Sequence, residues 1–190
     1  RPQGVVLDEL AGKTMLIIGL GGIGSELARR VHGCGVHVLA TDPKVWERPL
    51  FVEELHRPDK FHELLPRADI VASAVPLTKE STKMIGAKEF GLMKPGVVLI
   101  NVSRGKVVDT EALIAALDSG KVAAAGLDVT DPEPLPGDHP LWSRNVIITP
   151  HTAGQSPGTD RRRQAILHEN LRRFAAGETL INVVDKKVGY

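Results

Sequence analysis

The sequence predicts an α/β chain built on a doubly wound parallel sheet. Two observations carry that reading. Short apolar runs rich in Val, Ile, Leu and Ala alternate with helical patterns along the chain. Strands that read as near-continuous apolar runs are buried on both faces, which means a parallel sheet covered by helices. The first run, Met15-Leu16-Ile17-Ile18, leads into Gly19-Leu20-Gly21-Gly22-Ile23-Gly24 and then a helical pattern, Ser25 to Val31. That is strand, glycine turn and helix in a G-x-G-x-x-G spacing, the opening of a Rossmann-type fold.

The elements follow in order. The run before the glycine turn gives a strand near Thr14–Ile18, and the pattern after it a helix near Gly22–Gly33. Cys34, at the end of that helix, is expected to be a packing residue. The run Val36-His37-Val38-Leu39-Ala40 gives a strand near Val36–Thr41, and a third is expected near Val52–Leu55. Helical pattern near Lys60–Leu65 precedes a strand near Ile70–Ala74. The same alternation places a helix near Ala87–Leu92, a strand near Val97–Asn101, a helix near Thr110–Ser119 and a strand near Ala123–Asp128. Asp131–Leu141, rich in proline and acid, reads as an ordered surface loop. Within the following stretch Trp142 is expected to be a buried anchor. A last strand near Val146–Thr149 precedes a helix near Gly158–Ala176. There, Ala165, Leu167, Leu171 and Phe174 fall at helical spacing, so one face is expected to be buried. Repeated strand–helix units imply right-handed crossovers. Asn101 and Asn182 are expected to bond turns at element ends.

The bulk numbers set limits. The 190 residues suffice for one domain with a substantial core, and 42% hydrophobic with 25% charged residues is an ordinary globular balance. A net charge of +1 argues for neither nucleic acid nor a membrane surface as partner. Arg161-Arg162-Arg163 reads as a solvated helix face, because no aromatic residues interleave with it. Cys34 is the only cysteine, which excludes an internal disulfide and fits a reducing, cytoplasmic compartment. No apolar run is long enough to span a membrane as a helix. His32, His37, His56, His62 and His168 have no metal-ligand spacing, so no metal is expected. The chain begins at Arg1 rather than Met and reaches its glycine turn almost at once. The expectation is a cofactor-binding domain over residues 1–180 that lacks an upstream domain.

In such sheets ligands sit beyond the carboxyl ends of the strands. Gly19 permits the tight turn, Gly21 lets backbone approach a pyrophosphate, and Gly24 lets helix pack on strand. Gly22 and Ile23 open the helix, whose N-terminus offers N–H groups and a positive dipole end to phosphates. Asp42 follows about eighteen residues after Gly24, where a carboxylate accepts bonds from the adenosine ribose and repels a 2′-phosphate. NAD rather than NADP is therefore the expected cofactor. The plainer reading is that Asp42 starts the turn Asp42-Pro43.

Four further features gather at predicted strand ends. Asn101-Val102-Ser103-Arg104-Gly105 offers an arginine fork that can hold a carboxylate and polarise a neighbouring carbonyl. Asp128 ends a strand. Asp131-Pro132-Glu133-Pro134 holds a carboxylate in a stiffened loop. Thr149-Pro150-His151-Thr152-Ala153-Gly154 puts a histidine directly after a strand. Singly, Arg104 reads equally as a surface ion pair, Glu133 as a loop carboxylate and His151 as a structural histidine. Together beside a dinucleotide turn they point to an active site.

The chain resembles the cofactor-binding domain of the D-isomer-specific 2-hydroxyacid dehydrogenases. Gly19–Gly24, Val75-Pro76-Leu77-Thr78, Leu92-Met93-Lys94-Pro95-Gly96, Asn101–Gly105, Gly126–Val129 with Asp131–Pro134, and Thr149–Gly154 carry the resemblance in the family's order and spacing. Ile181-Asn182-Val183-Val184 is similar to the family's usual ending, so residues 181–190 are expected to return toward a substrate domain that this chain lacks. The resemblance implies that Arg104 binds the carboxylate of a 2-oxo acid and orients its carbonyl. It implies that His151 is the general acid in reduction and the base in reverse, with Glu133 bonded to its imidazole. A carboxylate partner favours imidazolium, which is what ketone reduction needs. Asp128 would contact the nicotinamide carboxamide. Val75, Pro76 and Thr78 would line the adenosine side. Val102, Ser103, Ala153 and Gly154 would lie near the cofactor. The related formate dehydrogenases have glutamine where this chain has Glu133, so a hydroxyacid substrate is favoured. The phosphite-oxidising members keep the glutamate, and that branch stays open. The resemblance also implies a homodimer, with a 2-oxo or 2-hydroxy acid as the small-molecule partner. Two alternatives remain at this point: an NAD-sensing, corepressor-like binding protein, and a cofactor-binding fragment inactive on its own.

Overall fold

In a computed structural model of the chain, residues 8–187 are described. The start at Arg1 and the last three positions of the 181–190 segment lie outside them. Two compact units form, Arg1–Pro150 and His151–Tyr190.

The first unit is a seven-stranded parallel sheet. Its elements are β1 (Thr14–Ile18), α1 (Gly22–His32), β2 (His37–Thr41), β3 (Glu54–His56), α2 (Phe61–Leu64), β4 (Ile70–Ser73), α3 (Ala87–Leu92), β5 (Val97–Asn101), α4 (Thr110–Asp118), β6 (Val122–Leu127) and β7 (Val146–Ile148). The strand order is β3-β2-β1-β4-β5-β6-β7, with every pair parallel. Successive β1 residues face opposite sides of the sheet, as the two-residue period requires. Leu16 and Ile18 join one core with Phe61, Leu65, Phe90, Leu99 and Leu113, while Met15 and Ile17 join a second with Ala28 of α1. Burial on both faces is what makes these strands read as continuous apolar runs.

The expected elements are present, with local differences. The third strand starts at Glu54 because Val52 donates its N–H to Pro49 O in a turn, and pairing with β2 begins only where Glu53 N–H reaches Val38 O at 2.8 Å. The second helix is a single α turn between 3₁₀ turns at Pro58–Lys60 and Leu65–Arg67. Pro66 has no N–H to continue the α ladder. Asp109 caps α4, its side chain accepting from Ala112 N–H.

Two expectations about packing are corrected. Cys34 is exposed, in the turn beyond the helix rather than packed on its end. Trp142 is 53% exposed, and Leu141 is the buried residue of the turn Pro140–Ser143. A 3₁₀ turn directs adjacent side chains to different sides, and the indole Nε1 instead donates to Pro136 O at 2.8 Å.

The second unit holds α5 (Thr159–Ala175) and the segment after it. Its apolar positions were expected to be buried, yet α5 has no buried residue and Phe174 is 76% exposed. Helical spacing reveals an apolar stripe but not a partner for it, and this unit has no second layer of its own. Ion pairs from Glu169 to Arg172 and Arg173 support the helix instead. Asn170 exchanges two hydrogen bonds with the backbone of Ile181, tying the following segment to the helix. No helix among the described residues is long and apolar enough to cross a membrane.

Candidate functional site

The candidate site lies at the carboxyl ends of β1, β2, β4, β5 and β6. Gly19, just after β1, has φ +90°, and a Cβ there would stand 2.8 Å from Ala74 O. Gly24 is more constrained: its Cβ would fall 1.9 Å from Gly19 O. The first turn of α1 therefore reaches the strand end only with glycine at this position. Gly21 and Gly22 are the reverse case, with no protein atom within 4 Å of a Cβ. Gly21 caps α1 without a side-chain bond, and no acid occupies the first turn. The result is an open backbone cradle with uncapped N–H groups at a positive dipole end, a fit for a pyrophosphate.

Asp42 is 7% exposed and does more than either sequence reading required. Its Oδ2 accepts the N–H of Leu20 at 2.8 Å, which ties the glycine turn to the end of β2. Its Oδ1 accepts the N–H groups of Lys44 and Val45 at 2.7 and 2.8 Å, closing the turn that follows. A carboxylate oxygen has about two acceptor sites, so Oδ2 keeps room for one more donor.

The segment after β4 is knit by Ser81, which sequence reasoning missed. Its buried hydroxyl donates to Pro76 O at 2.7 Å and accepts the Thr78 N–H at 2.8 Å. The Thr78 hydroxyl accepts the Ser81 N–H at 3.2 Å. The signal was a Thr and a Ser three apart in a loop without periodicity, a common side-chain-to-backbone turn. Val75 packs against the core, and its Cγ1 lies 3.0 Å from where a Gly19 Cβ would be.

Asn101 ends β5 and organises the arginine loop. Its Oδ1 accepts from Ser103 N–H at 3.0 Å and from Ser103 Oγ at 2.6 Å, and its Nδ2 donates to Arg104 O at 3.0 Å. Ser73, on β4, lies with its hydroxyl 3.0 Å from that of Ser103. All three polar side chains are buried, so the loop is held from beneath while Arg104 itself is exposed. The hydroxyl of Ser103 is thus turned into the protein. Arg104 Nη1 rests on the Ser103 carbonyl at 2.7 Å, leaving most of its donor fork for other groups. Val102 donates its N–H to Ser73 O.

Gly105 joins this loop to the next. A Cβ there would lie 1.9 Å from Thr130 O, so the backbones of the two loops touch. Asp128, at the end of β6, is buried, and its Oδ1 accepts the Thr149 hydroxyl at 2.6 Å. Thr149 entered the sequence reading only as the start of the Thr149–Gly154 stretch, with no role of its own; it orients a carboxylate from the neighbouring strand. The loop continues through Thr130, whose hydroxyl donates to Pro132 O, and Asp131, whose carbonyl accepts the Thr110 hydroxyl. Glu133 follows on this loop and is exposed.

His151, Ala153 and Gly154 open the second unit. His151 has φ +55°, in the left-handed region. The N–H of Gln155 donates to Thr152 O, and the Thr159 hydroxyl reaches Gly154 O at 3.3 Å. Among the described residues no group of three or more His, Cys, Asp or Glu is placed to hold a metal ion.

The family described as "D-isomer specific 2-hydroxyacid dehydrogenase, NAD binding domain" matches residues 1–153. The glyoxylate reductase of Thermococcus gammatolerans is 43% identical over 181 residues, covering 95% of this chain and 54% of its own length. The chain thus spans about half the length of the curated relatives it matches. A D-isomer specific 2-hydroxyacid dehydrogenase from Xanthobacter autotrophicus Py2, solved in complex with NADPH and MES, superposes with a TM-score of 0.90. It is 36% identical, with 98% of this chain and 76% of that chain covered. A D-lactate dehydrogenase from Lactobacillus jensenii, solved with NAD+, is also 36% identical, with a TM-score of 0.83 and 98% and 59% covered.

Proposed function

The chain belongs to the D-isomer specific 2-hydroxyacid dehydrogenases, as their NAD-binding domain, and from that premise we propose that it is the cofactor half of an NAD(H)-dependent reductase of 2-oxo acids. Residues 1–180 act as the cofactor domain, and 181–190 return toward a substrate domain. When bound, the dinucleotide supplies or receives the hydride. Its pyrophosphate lies over Gly19, Gly21, Gly22, Ile23 and Gly24, with the adenosine ribose at Asp42. Val75, Pro76 and Thr78 line the adenosine side, and Val102, Ser103, Ala153 and Gly154 flank the rest. Asp128 holds the nicotinamide carboxamide. Arg104 pairs with the substrate carboxylate, and a guanidinium so placed also polarises the adjacent carbonyl. His151 gives its proton to the carbonyl oxygen in reduction and takes it back in oxidation, with Glu133 as its hydrogen-bond partner. The substrate is a small 2-oxo acid of the glyoxylate or hydroxypyruvate class, the protein a cytoplasmic homodimer.

The observation that carries the reading is the junction at Gly105. It sets the Arg104 loop against the Asp128–Thr130 loop on the same sheet edge as the glycine cradle. The test is NADH fluorescence with this chain, then NADH oxidation with glyoxylate, hydroxypyruvate and pyruvate by the full-length polypeptide. Binding by the chain, and turnover that His151→Ala abolishes without loss of NADH binding, is the expected outcome. A His151→Ala protein with undiminished turnover would remove His151 from the mechanism.

A further inference from the structure

The turn after β2 carries a feature that the proposed chemistry leaves unused. Trp46 is 77% exposed, a costly position for the largest apolar side chain. The Arg57 guanidinium lies over it, 4.1 Å from the ring centroid, where cation–π attraction holds a planar fork in place. Arg57 Nη1 also donates to the backbone carbonyl of Asp42 at 3.2 Å. Register explains the meeting: Thr41 pairs with His56, so Asp42 and Arg57 leave β2 and β3 side by side at the carboxyl edge. The contacts of Arg57 among the described residues are thus a carbonyl and an indole, not a carboxylate. A guanidinium has five donors, so most of its capacity remains. The neighbouring Asp42 carboxylate already accepts three backbone N–H groups, which offset part of its negative charge.

We propose that Arg57, shelved on Trp46, is a specificity-determining residue for the adenosine end of the cofactor and receives the 2′-phosphate of NADP(H). This rests on the reading that the glycine cradle and Asp42 hold a dinucleotide. Asp42 alone repels a 2′-phosphate. Arg57, one strand away, supplies the opposite charge and the bidentate geometry that phosphate oxygens favour. The indole keeps the guanidinium at the rim of the site, so less side-chain entropy is lost when the phosphate arrives. The chain therefore binds both dinucleotides, with NADH preferred only modestly.

The test is fluorescence titration of the 190-residue chain with NADH and with NADPH, using wild type, Arg57→Gln, Arg57→Lys and Trp46→Leu. Thermal unfolding of each variant reports whether the fold is intact. In wild type, NADPH is expected to bind within about ten-fold of NADH. Arg57→Gln is expected to weaken NADPH about ten-fold while moving NADH less than about two-fold, as loss of a charge-assisted phosphate contact requires. Arg57→Lys keeps the charge and part of the NADPH affinity, and Trp46→Leu weakens NADPH selectively. Added salt weakens NADPH more than NADH in wild type, and Arg57→Gln removes that difference. Wild type that binds NADH but rejects NADPH would overturn the proposal. So would an equal loss of both nucleotides in Arg57→Gln, with or without a lowered unfolding temperature. Failure of wild type to bind even NADH would instead remove the cofactor reading beneath it.

Discussion

Three glycines separate two uses of the same residue. At Gly24 and Gly105 a methyl group would stand 1.9 Å from a backbone oxygen, Gly19 O in one case and Thr130 O in the other. Alanine at either position forces backbone apart and is expected to destabilise the chain by about 1–3 kcal/mol or more, read by urea denaturation. At Gly21 the same methyl meets open space. Gly21→Ala is expected to leave stability within about 1 kcal/mol of wild type while lowering NADH affinity, because the added carbon fills the cradle rather than the fold. A Gly21→Ala chain that binds NADH normally would show that the pyrophosphate lies elsewhere. The glycine spacing was legible in the sequence because each glycine follows from local geometry. Ser81 and Thr149 were not, because a hydroxyl that orients a group across a loop or a strand pair has no period to announce it. Asp42 was legible as a carboxylate at a strand end, but its bond to Leu20 N–H depends on β1 and β2 being neighbours.

Among elements, the short β3 is fastened by Glu54, which pairs with both Arg67 and His56. The Arg67 guanidinium, then His56, hold the Glu54 carboxyl down at about 2, against 4.5 for the free group. A carboxyl lowered on folding stabilises the native state above its unfolded value, and that support is lost as pH falls from 4.5 through about 2. Glu54→Gln is expected to lower stability most near neutral pH, modestly because the pair is partly solvated, and to converge on wild type as pH falls toward about 2, so that its acid limb is flatter in that window. Thermal midpoints between pH 2 and pH 7 check this; an unchanged acid limb would separate Glu54 from acid stability. The cap of α4 gives a second test: Asp109→Ala removes the acceptor for Ala112 N–H and is expected to cost about 1 kcal/mol. Element types were readable from apolar runs, whereas the start of β3 was not. Val52 looks like strand by composition, but its N–H belongs to a turn. For α5 the pattern misled, because an apolar stripe states what a helix could bury and not whether anything covers it.

For the molecule as a whole, a dinucleotide bound as proposed, across the glycine cradle, Asp42 and the loops after β4, β5 and β6, would touch most of the sheet edge. Saturating NADH, at about one hundred times its dissociation constant, is expected to add roughly 2.7 kcal/mol to stability and to raise the unfolding midpoint accordingly. A midpoint indifferent to NADH would contradict the proposed site. The strand order was predictable in class, as a doubly wound parallel sheet, but the positions of β3 and β7 at its two edges follow from long-range pairing that no local pattern encodes.

That order also fixes a sequence of events during synthesis. β1 is made first yet ends in the middle of the sheet, between β2 and β4. Met15 meets Val38 soon after emerging from the ribosome, but its other partner, Ile70, arrives only after β3 and α2 have been made. Through that interval the nascent chain presents an open strand edge, a row of unpaired N–H and C=O groups flanked by the apolar side chains of Met15 to Ile18, the kind of surface that holdase chaperones protect and that pairs wrongly when they do not. The chain is therefore at its most aggregation-prone while the stretch between β2 and β4 is emerging.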